Sequence, residues 1–311
     1  ICSIVSNVRE LMRKININGS LHFNEPLYLH TTFRVGGPAD IFFQPKTSDE
    51  IVPVLKEAVK HTIPVFFLGG GSNILVSDAG IRGLVIDLST LRSVHVLDSI
   101  ITAESGAEIS RVAEIAADYH LAGMEFIFAM PGTVGGALWM NARCYGTSIA
   151  DIVEHVEILD NNYCKKTLYP EDMEFGYKSS VFQKQNNVIL SAAFRLRSQS
   201  SNDEIKAKMA RYRRDREKKG HFRFPCAGSI FKNNRNFGAP TGEIIDRLGL
   251  RGYTIGGAKI SDLHANIIVN TGTASATDIL QLIEFIEKRV RTEYGLELER
   301  EILLVGEWDK E

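Results

Sequence analysis

Two glycine-rich segments have the residue types to hold an anionic ligand. In 68–78, LGGGSNILVSD, Gly69, Gly70 and Gly71 are followed by Ser72 and Asn73, directly after an apolar, strand-like run. Glycines let successive backbone N–H groups converge on a phosphate without interference from Cβ, and the Ser and Asn side chains add hydrogen bonds. Such a loop suits a pyrophosphate, and it equally suits a tight turn. In 131–142, PGTVGGALWMNA, Pro131 stands ahead of a helix start with Gly132, Thr133, Gly135 and Gly136 in its first turns. A helix N-terminus offers N–H groups and a positive dipole to an anion, and small residues allow it close; tight helix packing on glycine is the other reading. Two such loops suit a dinucleotide. Neither matches G-x-G-x-x-G and no Gly-Lys pair occurs, which excludes the Rossmann fingerprint and the Walker loop.

The elements that must position these loops follow from periodicity. Residues 39–45 read as a short apolar strand, 48–61 as an amphipathic helix opened by Ser48 with Asp49 and Glu50, and 65–68 as a second strand. The rhythm continues through strands at 83–88 and 94–103, a helix at 108–120, and strands at 153–159 and 188–196. The polar stretch RSQSSND at 197–203 places a boundary near Ser198, followed by a charged helix at 203–219. Helices at 242–248 and 276–294 and strands at 265–269 and 301–306 then complete a smaller α+β domain. The expected division is 1–198 and 199–311.

Composition sets the class. The chain has 311 residues, 44% hydrophobic and 24% charged, which excludes a disordered or low-complexity chain and leaves room for about two domains. A net charge of −2 supplies no global field for nucleic acid or an anionic membrane. Between 206 and 223 nine Lys/Arg face two Asp/Glu; this reads as a solvated helix face, with a nucleic-acid arm as the weaker alternative and Arg213 or Arg214 as conceivable partners for a diphosphate. The apolar run 63–68 is far too short to span a bilayer. The start, ICSIVSNVRELMRK, lacks the basic and apolar regions of an export signal, and its Ile at position 1 suggests an absent native start. Cys2, Cys144, Cys164 and Cys226 form no CxxC pair, so no metal or disulfide framework is expected and a reducing cytoplasm fits.

Seven segments together resemble the UDP-N-acetylenolpyruvoylglucosamine reductase family: HTTFRVGGPAD (30–40), LGGGSNILVSD, PGTVGGALWMNA, FGYKSS (175–180), AGSIF (227–231), HANIIVN (264–270) and ELEREILLVG (297–306). The resemblance spans nearly the whole chain in the family's order. It implies an α+β fold: a PCMH-type (vanillyl-alcohol-oxidase-like) FAD-binding domain, then a smaller substrate-binding domain. It also implies a reaction in which NADPH reduces FAD, which in turn reduces the enolpyruvyl ether of a UDP-sugar to UDP-N-acetylmuramate for peptidoglycan synthesis. Another PCMH-type flavin oxidoreductase and a non-redox sugar-nucleotide binder remain as alternatives.

That chemistry adds a hydride to the terminal enol carbon, leaves negative charge on the neighbouring carbon and its carboxylate, and so needs a cation or hydrogen-bond donor plus a proton source. By resemblance Ser229 is the proton donor, although a Ser after Gly is by itself an ordinary turn residue. Glu301 matches the family glutamate that polarises the carboxyl and assists protonation. If 298–305 is a strand, Glu301 shares a face with Leu303 and Val305, although Glu297 and Glu299 have the same parity. Lys178 stands in Tyr177-Lys178-Ser179-Ser180 where the family carries Arg; it keeps the charge but not the bidentate guanidinium fork. Tyr177, Lys259, His264 and Asn266 are carried over as substrate contacts. Arg143 and Cys144 replace the family's Gly and Ala: Arg143 faces solvent or a ligand oxygen, and Cys144 reads as a packed thiol. With no second dinucleotide loop, NADPH and the sugar are expected to share one site in turn.

Overall fold

The computed structural model describes residues 17–199 and 201–308. Cys2 and the reading of the chain's start lie outside them. The described residues fall into two compact units: those within 17–23, 40–70 and 83–213 form one, and those within 24–39, 71–82 and 214–308 the other. This is not the single cut near Ser198 that composition suggests. The second unit takes two early segments because Phe33, Val35 and Leu75 are buried in one apolar cluster with Ile230, Phe231, Ile244, Ile267 and Ile283. Contacts between residues two hundred positions apart leave no local mark in composition.

The first unit rests on two sheets. One has the strand order Ser20–Pro26, Pro38–Gln44, Ile81–Asp87, Val65–Leu68, and Val65–Leu68 runs parallel to Ile81–Asp87 with Leu68 opposite Asp87. Helix Ile51–Lys60 connects strand Pro38–Gln44 to strand Val65–Leu68. It buries Ile51, Val54, Leu55 and Ala58, a stripe at i, i+3, i+4 and i+7. The other sheet is antiparallel, in the order Lys165–Leu168, Val153–Leu159, Val188–Arg195, Ile100–Glu104, Val94–Leu97. The single strand expected over 94–103 is a hairpin: Leu97 pairs with Ile100, and Asp98 takes φ +53° in the two-residue turn. Helix Ile109–Asp118 buries Ile109, Val112, Ala113 and Ala116 by the same helical stripe.

Helix Asp203–Lys218 carries most of the basic run. Ile205, Met209 and Tyr212 are buried along one side, while Lys206 and Lys208 pair with Asp118 and Glu125 at 3.6 and 3.8 Å. Arg213 and Arg214 are exposed. Much of the local positive charge thus belongs to a solvated, ion-paired face.

In the second unit, strands Thr254–Ile255, Ala258–Ile260 and Ile268–Asn270 form an antiparallel sheet. Helix Ala276–Tyr294 buries Ile279, Leu282, Ile283, Ile286 and Val290 in the cluster. Ser275 and Asp278 close a capping box at its start. The Asp78 carboxylate accepts from the N–H groups of Ala276 and Thr277 at 2.8 and 2.9 Å. The strand expected over 301–306 is only Leu303–Val305, parallel to Ile74–Val76. Among the described residues no helix is long and apolar enough to cross a membrane.

Candidate active site

The first glycine loop divides between the units: Gly69 and Gly70 belong to the first, and Gly71, Ser72 and Asn73 to the second. In the first unit Gly69 and Gly70 lie against the second glycine cluster. A Cβ on Gly69 would stand 2.7 Å from Thr133 Oγ1, and one on Gly70 would stand 2.8 Å from Gly132 Cα. Only glycine permits this approach, and Gly132 itself holds φ +114°. The helix foreseen here is the six-residue Val134–Trp139, with Thr133 as its N-cap. Its first N–H groups are already engaged: Val134 donates to Ala107 O at 2.9 Å, Gly135 to Ser105 O at 2.8 Å, and Gly136 to Thr133 Oγ1 at 3.4 Å. These three N–H groups are therefore not available to a phosphate, which corrects the helix-terminus reading. The glycines serve the close approach instead.

Sequence reasoning missed Ser105. It follows strand Ile100–Glu104, is 1% exposed, and has a buried hydroxyl with no hydrogen-bond partner among the described residues. Its Cβ lies 3.1 Å from the position a Cβ on Gly135 would take. The sequence signal is the Ser105-Gly106 pair ending a strand, which resembles any strand-to-turn exit.

The Lys178 turn is anchored to the other end of the same short helix. Gly176 and Ser179 exchange backbone hydrogen bonds at 3.0 and 3.4 Å, with Tyr177 and Lys178 at the tip. Asn141 Nδ2 donates to Gly176 O, and Ser180 Oγ and Gln183 Nε2 donate to Trp139 O, each at 2.8 Å. Gln183 also donates to Lys178 O at 3.0 Å. Lys178 holds φ +56°, a left-handed conformation that costs a side-chain-bearing residue about 1 kcal/mol. Tyr177 is 48% exposed and Lys178 half-buried. Arg143 is exposed, and Cys144 packs half-buried against the core.

In the second unit the structure brings Asn73, Ser229, His264, Asn266 and Glu301 to one extended segment. Ser229 forms an antiparallel bridge with Ile267, and Phe231 with Arg300. Ile230 donates to Asn266 O at 2.9 Å and accepts from Glu301 N at 2.7 Å. Asn73 Nδ2 donates to Glu301 O at 3.0 Å, and Asn73 O accepts from Leu303 N at 3.1 Å. Glu301 is thus set by backbone pairing two residues ahead of its strand. Glu301 lies outside strand Leu303–Val305, so the alternation expected to put it on one face with Leu303 and Val305 does not apply.

Two expected substrate contacts are otherwise engaged. Asn266 is 3% exposed; its Oδ1 accepts from Phe231 N at 3.0 Å and its Nδ2 donates to Phe231 O at 2.8 Å, so the amide faces the protein backbone. Lys259 pairs with Asp262 at 2.8 Å on strand Ala258–Ile260 and keeps partial exposure. His264 Nδ1 accepts from Asn266 N at 3.2 Å. Burial, reinforced by Lys219 and Arg251, holds His264 below the usual histidine range. Burial likewise pushes neighbouring His221 down to about 4, with Arg216, His264 and Lys219 adding to the shift. Both imidazoles are neutral at pH 7. Cys226, whose thiol burial pushes up, is not a thiolate there.

Comparison with known proteins decides what this arrangement belongs to. A family model described as UDP-N-acetylenolpyruvoylglucosamine reductase, C-terminal domain, matches residues 220–305, and one described as FAD binding domain matches 39–162. A UDP-N-acetylenolpyruvoylglucosamine reductase from Caldanaerobacter subterraneus is 42% identical, covering 98% of both chains. A UDP-N-acetylenolpyruvoylglucosamine reductase 2 from Bacillus cereus is 41% identical, covering 99% of both. The chain belongs to the UDP-N-acetylenolpyruvoylglucosamine reductase family. The crystal structure of the Thermus caldophilus reductase superposes with a TM-score of 0.77 at 32% identity, over 93% of this chain and 99% of that one. The chain is accordingly an FAD-containing oxidoreductase of α+β fold, with an FAD-binding region over 39–162.

The residues of this reductase fit the flavin nucleotide. The Gly69–Gly70 and Gly132–Thr133 backbones meet where side chains would fill the space, and the Ser105 hydroxyl beside Gly135, without a hydrogen-bond partner among the described residues, is a buried polar atom for which a polar ligand group is the natural complement.

Proposed function

We propose that this chain reduces the enolpyruvyl ether of UDP-N-acetylglucosamine to UDP-N-acetylmuramate, with NADPH as hydride donor, and that Ser229, Glu301 and Lys178 carry the chemistry. The observation that supports it best is the backbone pairing around Ile230, which sets Glu301 next to the segment bearing Ser229. Gly69, Gly70, Gly132 and Thr133, with Ser105, would hold FAD in the first unit, Gly135 and Gly136 giving room beside them rather than N–H groups; Gly71, Ser72 and Asn73 continue the first glycine loop, and the second unit takes the sugar. Bound FAD would supply hydride transfer between NADPH and the terminal carbon of the enolpyruvyl double bond. Ser229 Oγ gives its proton to the adjacent carbon, so the C=C bond becomes C–C with one hydride and one proton added, and the serine is reprotonated from water. Lys178 stabilises the charge that builds on that carbon and its carboxylate. Glu301 polarises the carboxyl and supports the serine in its transient deprotonated form. Tyr177, Lys259 and the N–H edge of His264 remain substrate contacts; Asn266 does not. The reading carries with it a cytoplasmic setting, where the nucleotide-linked precursor would be made.

NADPH and the sugar use one site in turn. Initial rates at several fixed sugar concentrations are expected to give parallel double-reciprocal lines against NADPH; intersecting lines would rule out the shared site. Mass analysis of the product should show the sugar nucleotide heavier by two hydrogens.

A further inference from the structure

We infer that Asn266 is a positioning residue for the protonation step, holding Ser229 in place through the backbone of Ile230 and Phe231. The inference rests on Ser229 being the proton donor, as proposed above. Ser229 begins an extended stretch that lies outside every regular strand, so no continuous ladder fixes its register. Asn266 supplies what a neighbouring strand would. Its side-chain amide mimics a peptide group, taking the Phe231 N–H on Oδ1 and giving a proton to the Phe231 carbonyl from Nδ2. Its backbone carbonyl accepts from Ile230 N. With Glu301 N on the Ile230 carbonyl, all four backbone polar groups of residues 230 and 231 are satisfied, two of them by one side chain.

The site is sealed. Phe231 is 1% and Asn266 3% exposed, so water is not at hand to replace the amide. Removing it leaves a buried donor and a buried acceptor unpaired, and the segment must move to satisfy them. A displacement of 1 Å at a reacting group costs about 10²-fold in rate. Asn266 itself is kept in line by its own N–H on His264 Nδ1, a bond that needs the unprotonated ring.

The test uses the FAD-loaded, full-length enzyme without oxygen. In Asn266→Ala, re-oxidation of the flavin by the UDP-enolpyruvyl sugar is expected to slow about 10²-fold, while its reduction by NADPH stays within about twofold, because Ser229 acts only in the second half. Amide hydrogen exchange at Phe231 should accelerate, a readout independent of turnover. Ser229→Ala is measured alongside, and the double variant should be no slower than Ser229→Ala alone. Equal loss in both halves, no loss in the second, or a further full-sized loss in the double variant would each overturn the inference. If Ser229→Ala leaves re-oxidation intact, the serine assignment fails first and the inference with it. Should Asn266→Ala not fold, Asn266→Asp keeps the acceptor for Phe231 N–H but has no proton for the Phe231 carbonyl until it is protonated. Its second-half rate should recover as pH falls, and a flat profile would contradict the proposal.

Discussion

Replacing Ser229 with Ala lowers the rate of sugar reduction by about 10²–10⁴-fold, the range that a positioned proton donor contributes. The substitution removes one oxygen and nothing that holds the backbone, because the bridge to Ile267 is made by main-chain groups. The fold, the FAD content and reduction by NADPH should therefore persist. KM for the sugar should change little, since the hydroxyl's contribution arises in the transition state rather than in binding. A variant that turns over at the parent rate would remove Ser229 from the mechanism and shift the proton source to a solvent chain or to Glu301.

The second large effect is expected at Lys178. Lys178→Met keeps the length of the side chain and removes the charge, and kcat at saturating sugar should fall by about 10²–10³-fold. Lys178 is held at φ +56° in a turn tied at three points to the end of helix Val134–Trp139, which fixes where its side chain leaves the backbone. The anchoring bonds come from Asn141, Ser180 and Gln183, so the ammonium can be removed without dismantling the turn. Lys178→Arg should retain activity, because the cation is preserved and the guanidinium adds a bidentate grip on a carboxylate. Unchanged kcat in Lys178→Met at saturating substrate would sink the assignment.

Much of the fold was legible in the sequence, and the failures have physical causes. Helix Ala276–Tyr294 and strands Val65–Leu68 and Val153–Leu159 appear at the expected residues, because Ser275 with Asp278, Gly295 and the apolar periodicity all act locally. The division into units was not legible, because 24–39 and 71–82 join the second unit through buried side chains such as Phe33 and Leu75, which any core would accept. The face of Glu301 was misread because a period-two argument holds only inside a ladder, and residues 298–302 lie before it. The glycines of 132–136 were legible as special but not in which way: contact with Gly70 and Ser105, rather than free N–H groups, is what they permit. Asn266 reads as a ligand contact by resemblance alone, whereas its partner is backbone brought from thirty-five positions away. Ser229 could be singled out only by resemblance, since nothing local separates Ala227-Gly228-Ser229 from a common turn.

The visible absorption spectrum of the purified protein, followed anaerobically through addition of NADPH and then of the UDP-enolpyruvyl sugar, tests the central claim most directly. The account predicts flavin bands that bleach with NADPH and return with the sugar in stoichiometric amount. Bands that bleach and do not return would contradict the substrate, and a protein that stays colourless after incubation with FAD would contradict the account as a whole.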